Sequence, residues 1–508
     1  ISWWAHADCP DENNCNYDRL DTDLHMGVID PDGNWVPGAW SASWDNNYEL
    51  VDFTAPKTGE YKIAVYKERA DKNSNYLGIA WARDATYLPG VQSDYDDSDW
   101  DSRIMVRNDD ATSRDTTVDL FFDHGSSAGG ATYQNLPSNK VWGYNPSHND
   151  FLGSAIVDGG EDVSAVVRTL SSSQSLAYGG MPAQSDLGVN ASTRLYFPGY
   201  LNDFYGFHSY ADVTNVGSGP ATVKIRYYNG AGQRVGSQDI VLDANESHRF
   251  PSSIANASIG GVRIVSHGDV QPLAAVMTYY HETDPRSGAH AALSVGAHEV
   301  YLPSVFRDFY GWECAVNVFN TTTDPIGEGT ITFYHPDGQP VAGGMVDLDG
   351  LPGYGFLSVA VSGLPVPAGW IGSAVVTADK QVVASVYQEY GAGNDWQTHR
   401  GVKNGAPSLR LPWLQRNSSW NGSLTVMNVG CDDTTATAAF YDASGNQVGA
   451  PAHHPFTWRY ESYLFYPEIP SSARSAQVTT SPACDVVAIA NESTSNISDS
   501  AVSYSGLD

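Results

Sequence analysis

YFPGYLNDFYGF at 196–207 and YLPSVFRDFYGW at 301–312 are one phrase written twice, and two degraded copies flank them, YLPGVQSDY from Tyr87 and RLPWLQRNSSW from Arg410. The prolines of the four copies, Pro89, Pro198, Pro303 and Pro412, are 109, 105 and 109 residues apart, so a domain-sized unit repeats four times. Each opening leads to a short strand ending in Val-x-Asn, at Val106/Asn108, Val213/Asn215, Val318/Asn320 and Val426/Asn428. An alternating stretch follows and closes on a glycine turn at Gly125, Gly232, Gly338 or Gly445, which is hairpin chemistry. A further strand pair begins at Gly153, Gly261, Gly372 or Ser475. Period-two alternation, closely spaced turn signals and no helical window predict a β-sandwich of the immunoglobulin-like kind for every copy. The repeats are placed at 87–193, 194–298, 299–407 and 408–508.

Residues 1–86 do not share the repeat, and their charge differs too. Up to Asp123 there are 25 acidic and 10 basic residues, within a chain of 508 that carries −31 overall from 27 Lys and Arg against 58 Asp and Glu. Such a charge repels phosphate backbones and anionic headgroups, which excludes nucleic-acid and membrane-surface binding as readings. With 41% hydrophobic and only 17% charged residues the chain has material for real cores, and no stretch approaches the ~20 apolar residues of a membrane-spanning helix. Ile1 in place of an initiator Met, with no basic-then-apolar leader, predicts a processed, exported product.

The motifs of the first segment are specific. Asp21-x-Asp23-Leu24, the Asp30-Pro31-Asp32-Gly33 turn, Trp44-Asp45-Asn46-Asn47-Tyr48-Glu49, Phe53-Thr54-Ala55-Pro56 and Thr58-Gly59-x-Tyr61 resemble the jelly-roll domain that follows the catalytic domain in secreted bacterial subtilisin-like proteases, and pre-peptidase C-terminal modules. The repeats resemble, more loosely, the tandem β-sandwiches of large exported bacterial surface proteins. The resemblance implies a jelly-roll over 1–86 and modules used for attachment, stability or assembly. The expected fold is therefore all-β, one jelly-roll sandwich followed by four tandem homologous sandwiches.

Clustered carboxylates repel unless separated or neutralised, and Ca²⁺ is the hard cation that oxygen clusters take outside cells; Asp21, Asp23, Asp30 and Asp32 are the candidate calcium ligands. A second run, Asp94, Asp96, Asp97, Asp99 and Asp101, lacks the glycine and distal acid of a calcium loop and reads as a solvated loop. The Cys9/Cys15 spacing suits a small closed loop, and Cys431 with Cys484 would staple one end of the fourth sandwich if their loops are neighbours. Cys314 sits inside a strand and reads as a buried free thiol. Sequons at Asn190, Asn245, Asn256, Asn320, Asn417, Asn421, Asn491 and Asn496 are candidate glycosylation sites.

Catalytic signatures are missing. There is no zinc-binding His-Glu-x-x-His, no phosphate loop and no subtilisin-like active-site segment; Gly125-Ser-Ser127-Ala-Gly129 fits a nucleophile elbow in letters only, since its place in the repeat is a hairpin turn. The Asp-Phe-Tyr-Gly-aromatic loops at Asp203 and Asp308 read as plugs closing one end of each sandwich, with a ligand platform as the competing reading. The function expected is a non-catalytic extracellular structural or adhesive protein, a string of sandwiches that self-associates into a stalk, layer or filament. The alternative is an accessory region of a secreted subtilisin-like protease that binds substrate, glycans or cell wall.

Overall fold

The computed structural model describes residues 2–3, 22–42, 51, 53, 61–70, 77–78 and 85–506, the last range without 96–98, 161, 184–189, 269–270, 392–394 and 495–500. Apart from two single-turn 3-10 segments, Ser252–Ile254 and Val361–Gly363, all regular structure in them is β-strand. The chain forms two compact units, Ile1–Arg83 and Asp84–Asp508.

In the first unit Thr22–Ile29 is the central strand of a three-stranded antiparallel sheet, between Trp35–Ser41 and Lys62–Ala70. Alternation sorts its side chains: Val28, Val36 and Ala39 form a small core with Phe53 and Tyr61 against it, while Trp35, Trp40 and Tyr66 pack on one another on the exposed face.

The second unit holds four antiparallel sandwiches: the fourth is built of two four-stranded sheets, and in the first three the two halves are joined into one sheet of nine, eight and seven strands. The second sandwich shows the plan. One half runs Arg234–Leu242, Ala221–Tyr228, Ile259–His267, Arg194–Phe204, and the other Ser247–Pro251, Phe207–Asn215, Leu273–His281, Ser287–Ala291. The inner faces supply cores of Val, Ile, Leu and aromatic side chains such as Val213, Ile225, Phe250 and Ile264, all fully buried. In the third sandwich one 21-residue strand, Trp370–Tyr390, serves both halves.

The repeated Asn at the end of the Val-x-Asn strand is a tie. Asn108, Asn215, Asn320 and Asn428 are each fully buried. Their amides donate to loop carbonyls: Thr112 and Leu136; Gly219, Leu242 and Asp243; Asp324, Leu351 and Pro352; Cys431 and Trp458. Their Oδ1 atoms accept the backbone N–H two residues on. An amide has both donors and acceptors to offer, so one side chain closes two loops at one end of the sandwich.

The four sandwiches are not beads on a string. The last strand of each, leaving aside the two-residue Met181–Pro182 of the first, is Ser175–Gly179, Ser287–Ala291, Trp396–Arg400 or Val502–Ser505; it is buried along its length, and each packs beside the next with the fourth returning to the first. Ser287 Oγ donates to Ser175 O at 2.9 Å between the first two of these strands. Aligned through their pairing, the residues at three alternate positions are Ser175, Ser287, Trp396, Ala501; Ala177, Ala289, Thr398, Ser503; and Gly179, Ala291, Arg400, Ser505. Ten of these twelve are small, which lets four edge strands, one from each sandwich, approach inside the molecule. The glycine turns repeat the closure: Gly125 lies against Ala244 O and Glu246, Gly232 against Gly353, Gly338 against Arg459 O and Glu461, and Gly445 against Ser138 O and Lys140.

Candidate functional site

The Asp-Phe-Tyr-Gly segments are hairpins. Phe204 pairs with Phe207, and Phe309 with Trp312, across two-residue turns in which Tyr205, Gly206, Tyr310 and Gly311 have φ of 51°, 79°, 51° and 86°. Positive φ at both central residues is the type I′ pattern, which Asn-Gly satisfies without strain; a Tyr in its place costs about 1–2 kcal/mol. Asp203 and Asp308, also at positive φ, are the irregular residues just before each turn. The tip is pinned from the side, since Glu282 N and Gly391 N donate to Gly206 O and Gly311 O at 2.9 Å.

The plug reading therefore holds for one ring and not the other. Phe207 is buried against Trp396 at 5.2 Å, whereas Tyr205 and Tyr310 are 82% and 84% exposed, each edge-on to the preceding Phe at 4.7 and 4.8 Å. Two neighbouring repeats thus hold out one rigid, solvent-facing phenol each, at equivalent positions.

The other sequence-derived sites are placed as follows. Cys431 and Cys484 are joined in a disulfide, Cα atoms 5.9 Å apart, at the end of the fourth sandwich tied by Asn428. Cys314 is buried and free, its thiol pushed up by burial. Cys9, Cys15, Asp21 and Asn496 lie outside the described residues, as does the Asp23 side chain. Asp30 Oδ1 accepts the N–H groups of Asp32 and Asn34, both at 2.9 Å, and so closes the Asp-Pro-Asp-Gly turn, with Asp32 exposed beside it. No group of three or more His, Cys, Asp or Glu placed to hold a metal ion occurs among the described residues. Ser127 is an exposed residue of the Arg114–Phe122/Ser127–Leu136 hairpin, paired with Phe121.

Two sequons are corrected. Asn320 is the buried tie described above and Asn491 is 8% exposed, its amide on Ser304 Oγ at 3.2 Å, so neither has room for a glycan. Asn256 and Asn421 are exposed; Asn190, Asn245 and Asn417 are half-buried.

No family model and no curated protein matches the chain. Among solved structures, a Thermotoga maritima protein designated 1070 is 18% identical with a TM-score of 0.18, over 21% of this chain and 93% of that one. A Streptomyces avermitilis alpha-L-rhamnosidase, solved with L-rhamnose, is 11% identical with a TM-score of 0.13, over 77% of this chain and 56% of its own. Dimeric latent PorU from Porphyromonas gingivalis is 9% identical with a TM-score of 0.14, over 76% and 40%.

A row of residues that sequence reading passed over joins each last strand to the irregular backbone at the repeated proline. Tyr178 Oη donates to Pro89 O, and Tyr279 Oη, beside His290, donates to Gly199 O at 2.7 Å. His399 Nε2 donates to Ser304 O at 3.1 Å, and Tyr504 Oη accepts from Trp413 N at 3.1 Å. Tyr178, His290, His399 and Tyr504 occupy one aligned position, and the only sequence signal is a polar ring in the last strand of every copy.

Proposed function

We propose that the chain is a non-catalytic extracellular adhesive protein whose working part is a ring of four β-sandwiches holding out tyrosine-tipped hairpins. The observation that carries this reading is the exposure of Tyr205 and Tyr310 on type I′ turns: a protein that keeps a strained, solvent-facing aromatic where Asn would cost nothing, and does so twice, is holding it for a ligand. An amphipathic ring on a rigid hairpin loses little entropy on binding, and its face suits the C–H face of a sugar or an apolar side chain. The Cys431–Cys484 disulfide supports an oxidising, extracellular setting. Multivalency replaces length as the structural principle, since ring closure fixes the two hairpins relative to each other.

The test is the double variant Tyr205→Asn/Tyr310→Asn, which restores the preferred turn sequence. The expected outcome is an equal or higher Tm together with lost co-sedimentation of the protein with insoluble cell-wall polysaccharide that retains the wild type. Co-sedimentation unchanged in the variant, or absent from the wild type, overturns the reading.

A further inference from the structure

The four seams of the ring are built on one plan, and one of them is different. The residue after each repeated proline, Gly90, Gly199, Ser304 and Trp413, faces the outer surface of the following sandwich. Gly90 lies against Asp212 and Val276, Gly199 against Tyr387, and Ser304 against Asn491, with Oγ and Nδ2 3.2 Å apart. A small residue thus meets a larger one three times. At the seam that returns from the fourth sandwich to the first, Trp413 stands in the small residue's place and Arg168 in that of Tyr387 and Asn491.

Two large side chains cannot interdigitate there, and a half-open cavity of 530 Å3 remains, lined by Arg103, Arg168, Arg474, Trp413 and Trp420 among others. Arg168 is 5% exposed, its guanidinium stacked over the Trp420 ring at 3.3 Å, and its buried Nε has no hydrogen-bond partner among the described residues. Glu492 is the carboxylate that balances Arg168, and its Oε1 accepts the Gln415 N–H. Burial pushes this acid up to about 7, and it is a single carboxylate beside the three guanidiniums of Arg103, Arg168 and Arg474. In a chain of net charge −31, a cationic cavity with indole walls is a local reversal of sign.

We propose that this cavity binds a carboxylated sugar of the uronic acid class, its carboxylate on Arg103 and Arg168 and its C–H face against Trp413. Guanidinium forks match carboxylates in geometry, and indole faces match the apolar face of a pyranose. The site is separate from the tyrosine-tipped hairpins, so it goes beyond the adhesive reading and stands without it.

Calorimetric titration of the full chain at neutral pH and low salt with D-glucuronate, D-glucose and acetate tests this. Glucuronate is expected to bind and D-glucose to give no heat. Arg103→Gln is expected to weaken glucuronate about tenfold or more with the Tm unchanged. Trp413→Gly, which restores the small residue of the other seams, is expected to remove the binding; if that variant unfolds, the Arg103→Gln arm decides. Absence of glucuronate binding in the wild type, equal binding of D-glucose or acetate, or an Arg103→Gln variant that binds as the wild type does overturns the proposal.

Discussion

Gly199 leaves the space that the Tyr387 ring of the next sandwich occupies: a methyl group at 199 would collide with Tyr387 Oη. The glycine has no need of unusual backbone angles here; what it supplies is the absence of a side chain at a seam. Gly199→Ala is expected to destabilise the protein by about 1–3 kcal/mol, as overpacking does, and Tyr387→Phe in the same chain to recover part of the loss. Denaturant unfolding of the two single variants and the double closes the cycle, and strict additivity would show that the two residues do not meet.

The buried amides of the repeat carry more than their size suggests. Asn320 donates to three carbonyls and accepts from Thr322 N–H and Oγ1, so Asn320→Ala leaves several buried groups unpaired and is expected to cost about 2–4 kcal/mol. Thermal unfolding measures the loss. Intact-mass analysis of the protein made in a glycosylating host is expected to show no glycan at Asn320, because the side chain that would bear it is enclosed.

Ring closure between the first and fourth sandwiches rests on a buried ion pair. Arg107 and Asp109 are 2.6 Å apart with 0% and 3% side-chain exposure, and Arg107 also donates to Ala476 O across the seam. Burial opposes both charges, raising the Asp109 carboxyl and lowering the Arg107 guanidinium, and their mutual attraction offsets it. Asp109→Ala strands a buried guanidinium and is expected to cost about 3–5 kcal/mol, whereas Arg107→Met/Asp109→Leu is expected to cost much less. A double variant as unstable as the single one would remove the ion pair from this account.

Acid is expected to loosen the ring from within. His290 and His399 sit on two of the four central strands, and burial holds their imidazoles down to about 3 and about 4. A base with a depressed folded-state pKa contributes stability that is full above its unfolded value of 6.5 and is lost as pH falls through 6.5 toward 4 for His399 and toward 3 for His290. Glu492 acts in the other direction: raised to about 7, it favours the fold below its unfolded 4.5 and loses that contribution as pH climbs to 7. His399→Gln keeps a donor for Ser304 O without a titrating ring, so its unfolding free energy is expected to fall less than that of the wild type between pH 6.5 and 4. Parallel pH profiles for the two proteins would exclude His399 as a source of the acid limb.

Much of this molecule is legible in its letters because a repeat averages out chance. The fourfold phrase, the Val-x-Asn strands and the glycine turns place the strands, and Cys431 and Cys484 fall at loops that the fold brings together. The Asp-Phe-Tyr-Gly hairpin was harder to read, since Tyr-Gly is a poor type I′ sequence and the bulge at Asp203 or Asp308 hides the pairing register. The cavity between Trp413 and Arg168 had no signal at all, because its two walls come from the first and fourth repeats, 245 residues apart at Arg168 and Trp413.

The sequence alone determined the all-β class and the fourfold repeat, since period-two alternation and turn chemistry are local and the repeat recurs in the letters. Only the tertiary structure decided that the sandwiches close into a ring. Closure depends on four short last strands whose outward residues are small, and smallness carries no periodicity that marks a partner about a hundred residues away. Which rings face water and which face a neighbour was likewise settled by packing: Tyr205 sits in the turn itself, where positive φ at Tyr205 and Gly206 leaves its ring in solvent, while Phe207 opens the next strand and its ring is buried against Trp396.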